Sequence, residues 1–244
     1  MVLDKVKEDV IAIKEKYADP RKTEIAHISG EVDIEDLIPE EQCVVTYTRF
    51  GYIKRQTTDT YKIQNRGGRG VKGMTRNEDD YAETMFVASS HDVIMFFTTR
   101  GRAYRLKGYE IPEGSRTSKG MNIVNILPLM PDEKITIILP ASELDEEKYI
   151  AMVTKEGTIK RTKVSEFRNT RKSGIIAISI DEDEELSFVK LTSGNDNLLV
   201  ATKKGMCIRF NENDARPLGR TASGVKAITL NDGDEVIGMS VMKE

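Results

Sequence analysis

The sequence predicts an all-β protein built as a radial array of small sheets, with about 50 residues and four strands per unit. Three observations carry this reading. A turn glycine between two strand-like runs recurs four times, as Phe50-Gly51-Tyr52, Arg100-Gly101-Arg102, Glu156-Gly157-Thr158 and Lys204-Gly205-Met206. Behind it a second glycine precedes an apolar residue, as Gly70-Val71, Gly120-Met121, Gly174-Ile175 and Gly224-Val225. The two glycines lie 19, 19, 17 and 19 residues apart within a unit, and successive units are 50, 56 and 48 residues apart. A period of that size marks repeats whose apolar faces are buried against their neighbours.

The elements follow in order. Leu3, Val6, Val10, Ile13 and Tyr17 keep a 3-4-3-4 spacing that lines one face of a helix over residues 2–17, and Asp19-Pro20 stops it. Residues 1–20 are thus a short N-terminal helical segment, and residues 21–244 form the β region. Between the glycine anchors, Met85–Ser89, Val93–Thr98, Ile135–Leu139, Tyr149–Thr154, Ser187–Leu191 and Leu198–Thr202 are rich in Val, Ile, Phe and Thr and bounded by turn residues, which reads as strands. The polar stretches Ser90-His91-Asp92, Ser142–Glu147 and Ser193–Asn197 are expected to link paired strands. The tail Glu235–Met242 matches the strand opening the hairpin of a next unit, so a truncated array is expected, of four units and the start of a fifth.

Charge is segregated. The net charge is −3, yet residues 49–76 carry +7, 100–119 carry +4, 155–172 carry +5 and 203–226 carry +4. Uniform mixing does not place four basic islands at near-regular intervals, and such islands favour a polyanionic partner. Lys54/Arg55, Arg102/Arg105, Lys160/Arg161 with Lys163, and Lys204/Arg209 follow the turn glycine of each unit. Arg66/Arg69, Arg116/Lys119, Arg171/Lys172 and Arg216/Arg220 precede the second glycine, and Lys72 follows it in the first unit. Stacked around an axis, these groups form one belt suited to duplex DNA, which presents a charge per ~1.7 Å of its axis.

Catalytic and metal chemistry find no support in the sequence. His27 and His91 give no base for a serine or cysteine, and no zinc-ligand spacing exists. Gly68-Arg69-Gly70-Val71-Lys72-Gly73 fits a dinucleotide fingerprint only formally, because no strand pattern precedes it and no helix pattern follows. The acidic run 181–185 reads as a solvated turn. No apolar run approaches the ~18 residues of a membrane span. Cys43 and Cys207 sit inside apolar runs and are expected to be buried thiols of a reducing, cytoplasmic compartment.

The seven residues Gln64-Asn65-Arg66-Gly67-Gly68-Arg69-Gly70 join two guanidinium groups to three glycines, a tight basic loop able to approach phosphate closely. The stretch closely resembles the gyrase A box of the DNA gyrase A C-terminal domain, with Asn65 where a second basic residue is usual and Arg69 where lysine is common. Residues 16–25 also resemble the junction between the breakage-reunion core of gyrase A and its C-terminal domain. The resemblance spans about residues 16–244. It implies a β-pinwheel, a propeller-like disc whose blades exchange strands and which wraps duplex DNA for the ATP-driven core. Carried onto this chain, it implies that Gln64–Gly70 steer the wrap and the belt cations hold phosphates. No cofactor is expected here, since ATP and magnesium belong to other parts of the holoenzyme. The implied partners are double-stranded DNA, the breakage-reunion domain and the gyrase B protein. No membrane is implied, and a monomeric fragment is expected. The related C-terminal domain of topoisomerase IV and a protein-binding propeller are the alternatives.

Overall fold

The computed structural model describes residues 2–19, 22–23, 34–61, 67, 73–74, 79–141 and 147–242. The chain divides into two compact units, residues 1–37 and 38–244. In the first, helix α1 (Val2–Tyr17) has the predicted bounds, and its apolar stripe, Leu3, Val6, Val10, Ile13 and Tyr17, is solvent-exposed.

In the second unit the strands run β1 (Gln42–Thr48), β2 (Tyr52–Thr57), β3 (Ala82–Ser89), β4 (Val93–Thr98), β5 (Arg102–Lys107), β6 (Met121–Asn122), β7 (Ile135–Ala141) and β8 (Tyr149–Thr154). They continue as β9 (Thr158–Lys163), β10 (Ile175–Ile176), β11 (Leu186–Thr192), β12 (Asn197–Thr202), β13 (Cys207–Asn211), β14 (Val225–Lys226) and β15 (Val236–Met242). They form four antiparallel sheets, ordered β3-β1-β2-β6, β7-β4-β5-β10, β11-β8-β9-β14 and β15-β12-β13. Each sheet is one blade of a β-pinwheel. Its hairpin turns on Gly51, Gly101, Gly157 or Gly205, all with φ between +69° and +85°, a region open to glycine.

The fourth strand of each of the first three blades comes from the following repeat. In these three rim strands the apolar residue after the second glycine pairs with the residue two places after the preceding turn glycine: Met121 with Ile53, Ile175 with Ala103, Val225 with Ile159. The opposite edges of successive sheets approach one another, β7 near β11 and β11 near β15, which puts the two-residue strands on the outer rim.

Two expectations are corrected here. The polar stretches Ser90-His91-Asp92 and Ser193–Asn197 join neighbouring blades rather than paired strands, since β3 pairs with β1 and β11 with β8; of 142–147, only Glu147 lies among the described residues. The tail strand β15 pairs with β12 and belongs to the fourth blade, so it does not open a fifth unit.

The core lies between blades. Val45, Tyr47 and Ile53 of the first blade meet Ile94, Phe96 and Tyr104 of the second. Met95 and Phe97, on the other face of β4, meet Ile150 and Met152 of the third. Because β4 is buried on both faces, it reads as the unbroken apolar run Val93–Phe97 instead of alternating. In the fourth blade, Leu198 and Val200 are buried against the third, while Leu199 and Ala201 are half-buried. Cys43 is buried as expected, but Cys207 on β13 is exposed, a further correction.

Candidate nucleic-acid interface

A rim strand begins where a cationic loop ends, so strand exchange fixes where the cations go. Arg116 and Lys119 precede Gly120, Arg171 and Lys172 precede Gly174, and Arg216 and Arg220 precede Gly224. The glycine in this place is obligatory on steric grounds. At Gly120, with φ +86°, a Cβ would lie 2.5 Å from the Ile53 carbonyl oxygen, and at Gly224 it would lie 2.5 Å from that of Ile159. The loops are therefore pressed onto the rim of the preceding blade, in equivalent positions. Arg116, Arg171, Lys172 and Arg216 are exposed there, and Lys119 and Arg220 are half-exposed. The Lys119 ammonium lies 4.2 Å from the Tyr52 ring centroid, which holds it toward the first blade.

The cations that follow the turn glycines divide differently, and several cannot meet a phosphate. Lys54 and Lys160, three residues after Gly51 and Gly157, are fully buried. The Lys54 ammonium donates to the carbonyl oxygens of Arg116 (2.8 Å), Gly73 and Ser118 (both 3.0 Å) and Ser115 (3.2 Å). Lys160 donates to the carbonyls of Ala177 (2.6 Å) and Arg220. Burial pushes the Lys54 amine below its ordinary range and the Lys160 amine down to about 8. Both lysines are supports for the loops that carry the exposed cations.

One residue further on, the arginines clamp one blade to the next. Arg55 Nε donates to the Ile111 carbonyl at 2.8 Å and its guanidinium lies 3.7 Å from Glu113. Arg105 donates to the carbonyl of Arg168. Arg161, 3% exposed, is bonded to Glu212 and Asn213. Arg102 is half-buried, with Nη2 2.5 Å from the Ser173 carbonyl oxygen and Nε 3.8 Å from Glu133. The belt thus contracts. Lys54, Lys160 and Arg161 leave it because burial denies them solvent, and Arg55, Arg102 and Arg105 are engaged between blades. Lys163, Lys204 and Arg209 are exposed, Lys204 with its ammonium on the Asp232 carbonyl. Of the heptapeptide, Gly67 alone is described; it turns at φ +88° with open space around it. Gln64, Asn65, Arg66, Gly68, Arg69 and Gly70, with Lys72, lie outside the described residues.

Sequence reasoning missed the groups that stabilise the hairpin turns. Thr48, Thr98, Thr154 and Thr202 stand three residues before each turn glycine and are buried. Each hydroxyl accepts the backbone N–H just past the glycine. Thr98 and Thr202 donate in turn to Glu133 (2.6 Å) and Asp234 (2.7 Å), while Asp80 accepts the Phe50 N–H at 3.2 Å. The threonine recurring at one offset was the available signal.

With the rim geometry in view, the repeats can be compared with known families. Residues 44–89, 92–142, 148–193 and 196–241 each match the family described as the DNA gyrase C-terminal domain, a beta-propeller, and each match takes in three strands of one blade together with, from the second match on, the rim strand of the blade before. The chain belongs to that family. It is 51% identical over 225 residues to the DNA gyrase A protein of Clostridium acetobutylicum, covering 92% of this chain and 27% of that protein. It therefore spans about a quarter of the length of this relative. Among solved structures, it resembles the C-terminal domain of DNA topoisomerase IV with a TM-score of 0.73 at 26% identity, covering 85% of this chain and 63% of that one. It resembles the DNA gyrase A C-terminal domain with a TM-score of 0.65 at 27% identity, covering 83% and 66%. One family repeat supplies the hairpin and the edge strand beside it in each described blade of this DNA gyrase C-terminal domain.

Proposed function

We propose that this domain binds duplex DNA along its rim and bends it around the blades, as the wrapping element of a DNA gyrase A protein that directs ATP-dependent negative supercoiling. The observation that carries this is the placement of Arg116, Lys119, Arg171, Lys172, Arg216 and Arg220 on equivalent rim loops of successive blades. Cations at a repeated spacing on a curved edge neutralise phosphates along a bent path, and the added contacts offset a bending cost of ~1–6 kcal/mol. Gln64–Gly70, at the corresponding place in the first repeat, are assigned to closing or steering the wrap. The domain itself performs no cleavage and needs no cofactor. Strand passage, ATP and magnesium belong to the breakage-reunion domain and to the gyrase B protein, its partners in the bacterial cytoplasm.

The test is wrapping of nicked circular DNA, sealed by ligase in the presence of the protein, with Gln64–Gly70 replaced by alanines as the control. A positive linking-number shift that disappears in the control supports the reading. The likeness to the topoisomerase IV domain favours a second reading, bending without wrapping, which predicts retention of DNA with no shift. Failure to bind at low salt would leave a protein-binding propeller.

A further inference from the structure

Lys54 is unlike an ordinary buried lysine, because its three N–H donors face four carbonyl oxygens from two separate stretches of chain. Three of those carbonyls, Ser115, Arg116 and Ser118, belong to the cationic loop of the second repeat. The fourth, Gly73, lies three residues beyond the heptapeptide of the first. The lysine stem runs through a slot walled by glycines. A Cβ on Gly114 would lie 3.2 Å from the Lys54 Cβ and Cδ, and one on Gly120 would lie 3.2 Å from the Cβ. Any other residue at those positions narrows the slot. Lys160 repeats the arrangement in the third blade, linking Ala177, which follows the second glycine of its own repeat, to Arg220 in the loop of the next. In the second blade Tyr104 occupies this place, and its hydroxyl donates to Glu133 and Pro128 within its own repeat.

We propose that Lys54 is a positioning residue for polyanion binding, holding the loop that bears Arg116 and Lys119 against the backbone at Gly73, so that the two cations of that loop are presented in one fixed geometry. The ammonium never touches DNA. It acts by removing the freedom of residues 115–119, so that ordering cost is already met before DNA arrives. The proposal rests on the DNA reading above, and it gives a supporting role to a residue that the charge pattern alone places in direct contact with phosphate.

The experiment compares the full chain with Lys54→Met, with Arg116→Ala/Lys119→Ala, and with the triple variant. The readouts are duplex retention as a function of salt and amide hydrogen exchange of residues 115–119 without DNA. Removing Arg116 and Lys119 lowers the slope of log affinity against log salt by about 2. Lys54→Met is expected to lower it by a similar amount and to speed exchange in 115–119. The triple variant is expected to fall no further, since the contacts already fail together. A Lys54→Met slope equal to that of the unmodified chain overturns the proposal, as does additive loss in the triple variant. A structural role alone would lower the melting temperature and leave the slope unchanged. Lys160→Met, read on the Arg216/Arg220 loop, provides the same comparison if Lys54→Met does not fold. If the unmodified chain shows no salt-dependent retention, the DNA reading itself fails. If it binds and Lys54→Met binds identically, only the positioning role fails.

Discussion

The Arg161 guanidinium sits 3.0 Å from the Glu212 carboxylate, and both side chains are almost wholly shut off from water. The pair crosses the joint between the third and fourth blades. Its carboxylate is held from several sides: Glu212 also accepts the Thr192 hydroxyl at 2.6 Å and the N–H groups of Gly194 and Asp196 at 2.7 and 2.8 Å. Arg161 lies against the Tyr149 ring, 4.6 Å from its centroid. A buried pair of this kind gives limited net stability compared with an apolar replacement, yet removing one partner leaves an uncompensated charge.

Arg161→Met is therefore expected to destabilise the domain by about 3–5 kcal/mol, with Glu212 left buried without its partner. Replacing both residues by apolar ones of similar size should recover much of that loss. Urea denaturation of the two variants checks the difference. A single variant indistinguishable from the parent would show that the pair does not hold the joint.

The turn glycines are predicted to differ in tolerance. A Cβ on Gly101 would lie 2.5 Å from the Ile178 carbonyl oxygen, whereas at Gly205, with a similar positive φ, nothing lies within 4 Å. Gly205→Ala should cost only the backbone strain, ~1–2 kcal/mol. Gly101→Ala must also displace the backbone of the next repeat and should cost clearly more. Equal midpoints in thermal melts would contradict the packing.

Lys160 gives a pH dependence with a definite sign. Its amine is pushed down to about 8 by desolvation, first of all, and then by the Arg220 charge. Between about pH 8 and its ordinary 10.5, the unfolded chain holds this proton more often than the folded one, so stability rises with pH across that window. The neutral amine still has two donors for the Ala177 and Arg220 carbonyls. Measured against Lys160→Met, which lacks the titration, the parent chain should gain stability from about pH 8 to about pH 10. A constant difference between the two would reject the shift.

Exposed cations and cations engaged between blades should separate in binding. Arg171→Ala/Lys172→Ala is expected to lower the salt slope of DNA retention by about 2 while leaving the melting temperature near that of the parent. Arg105→Met, which breaks the bond to the Arg168 carbonyl across a blade joint, should instead lower stability first. Filter retention at graded salt, paired with thermal melts, sorts the two classes.

Much of the architecture was legible because glycine leaves a signature at places where other residues clash. Gly51, Gly101, Gly157 and Gly205 announced the hairpins, and Gly120, Gly174 and Gly224 announced the rim strands. Pairing of a rim strand with the preceding blade was not readable from strand patterns, because a two-residue strand such as Met121–Asn122 has no periodicity to read. The fate of the cations was hidden for a different reason. Next to the turn, Ile53 and Lys54 are both fully buried, Ile53 against the second blade and Lys54 under the loop of residues 114–120. Alternation then fails as a guide, and a lysine bonded to carbonyls looks in sequence like one facing solvent. The four threonines before the turn glycines were visible but carried no charge to draw notice.

Strand exchange also has a temporal consequence. Ile53 of the first blade has no rim partner until Met121 has been made, and the same wait recurs for Ala103 with Ile175 and Ile159 with Val225. At ribosomal speeds of ~5–20 residues per second, each interval lasts on the order of 3–14 s. At every stage of synthesis, then, the newest blade carries an open edge capable of pairing with a neighbouring nascent chain. Each repeat emerging from the ribosome protects its predecessor and inherits the same vulnerability.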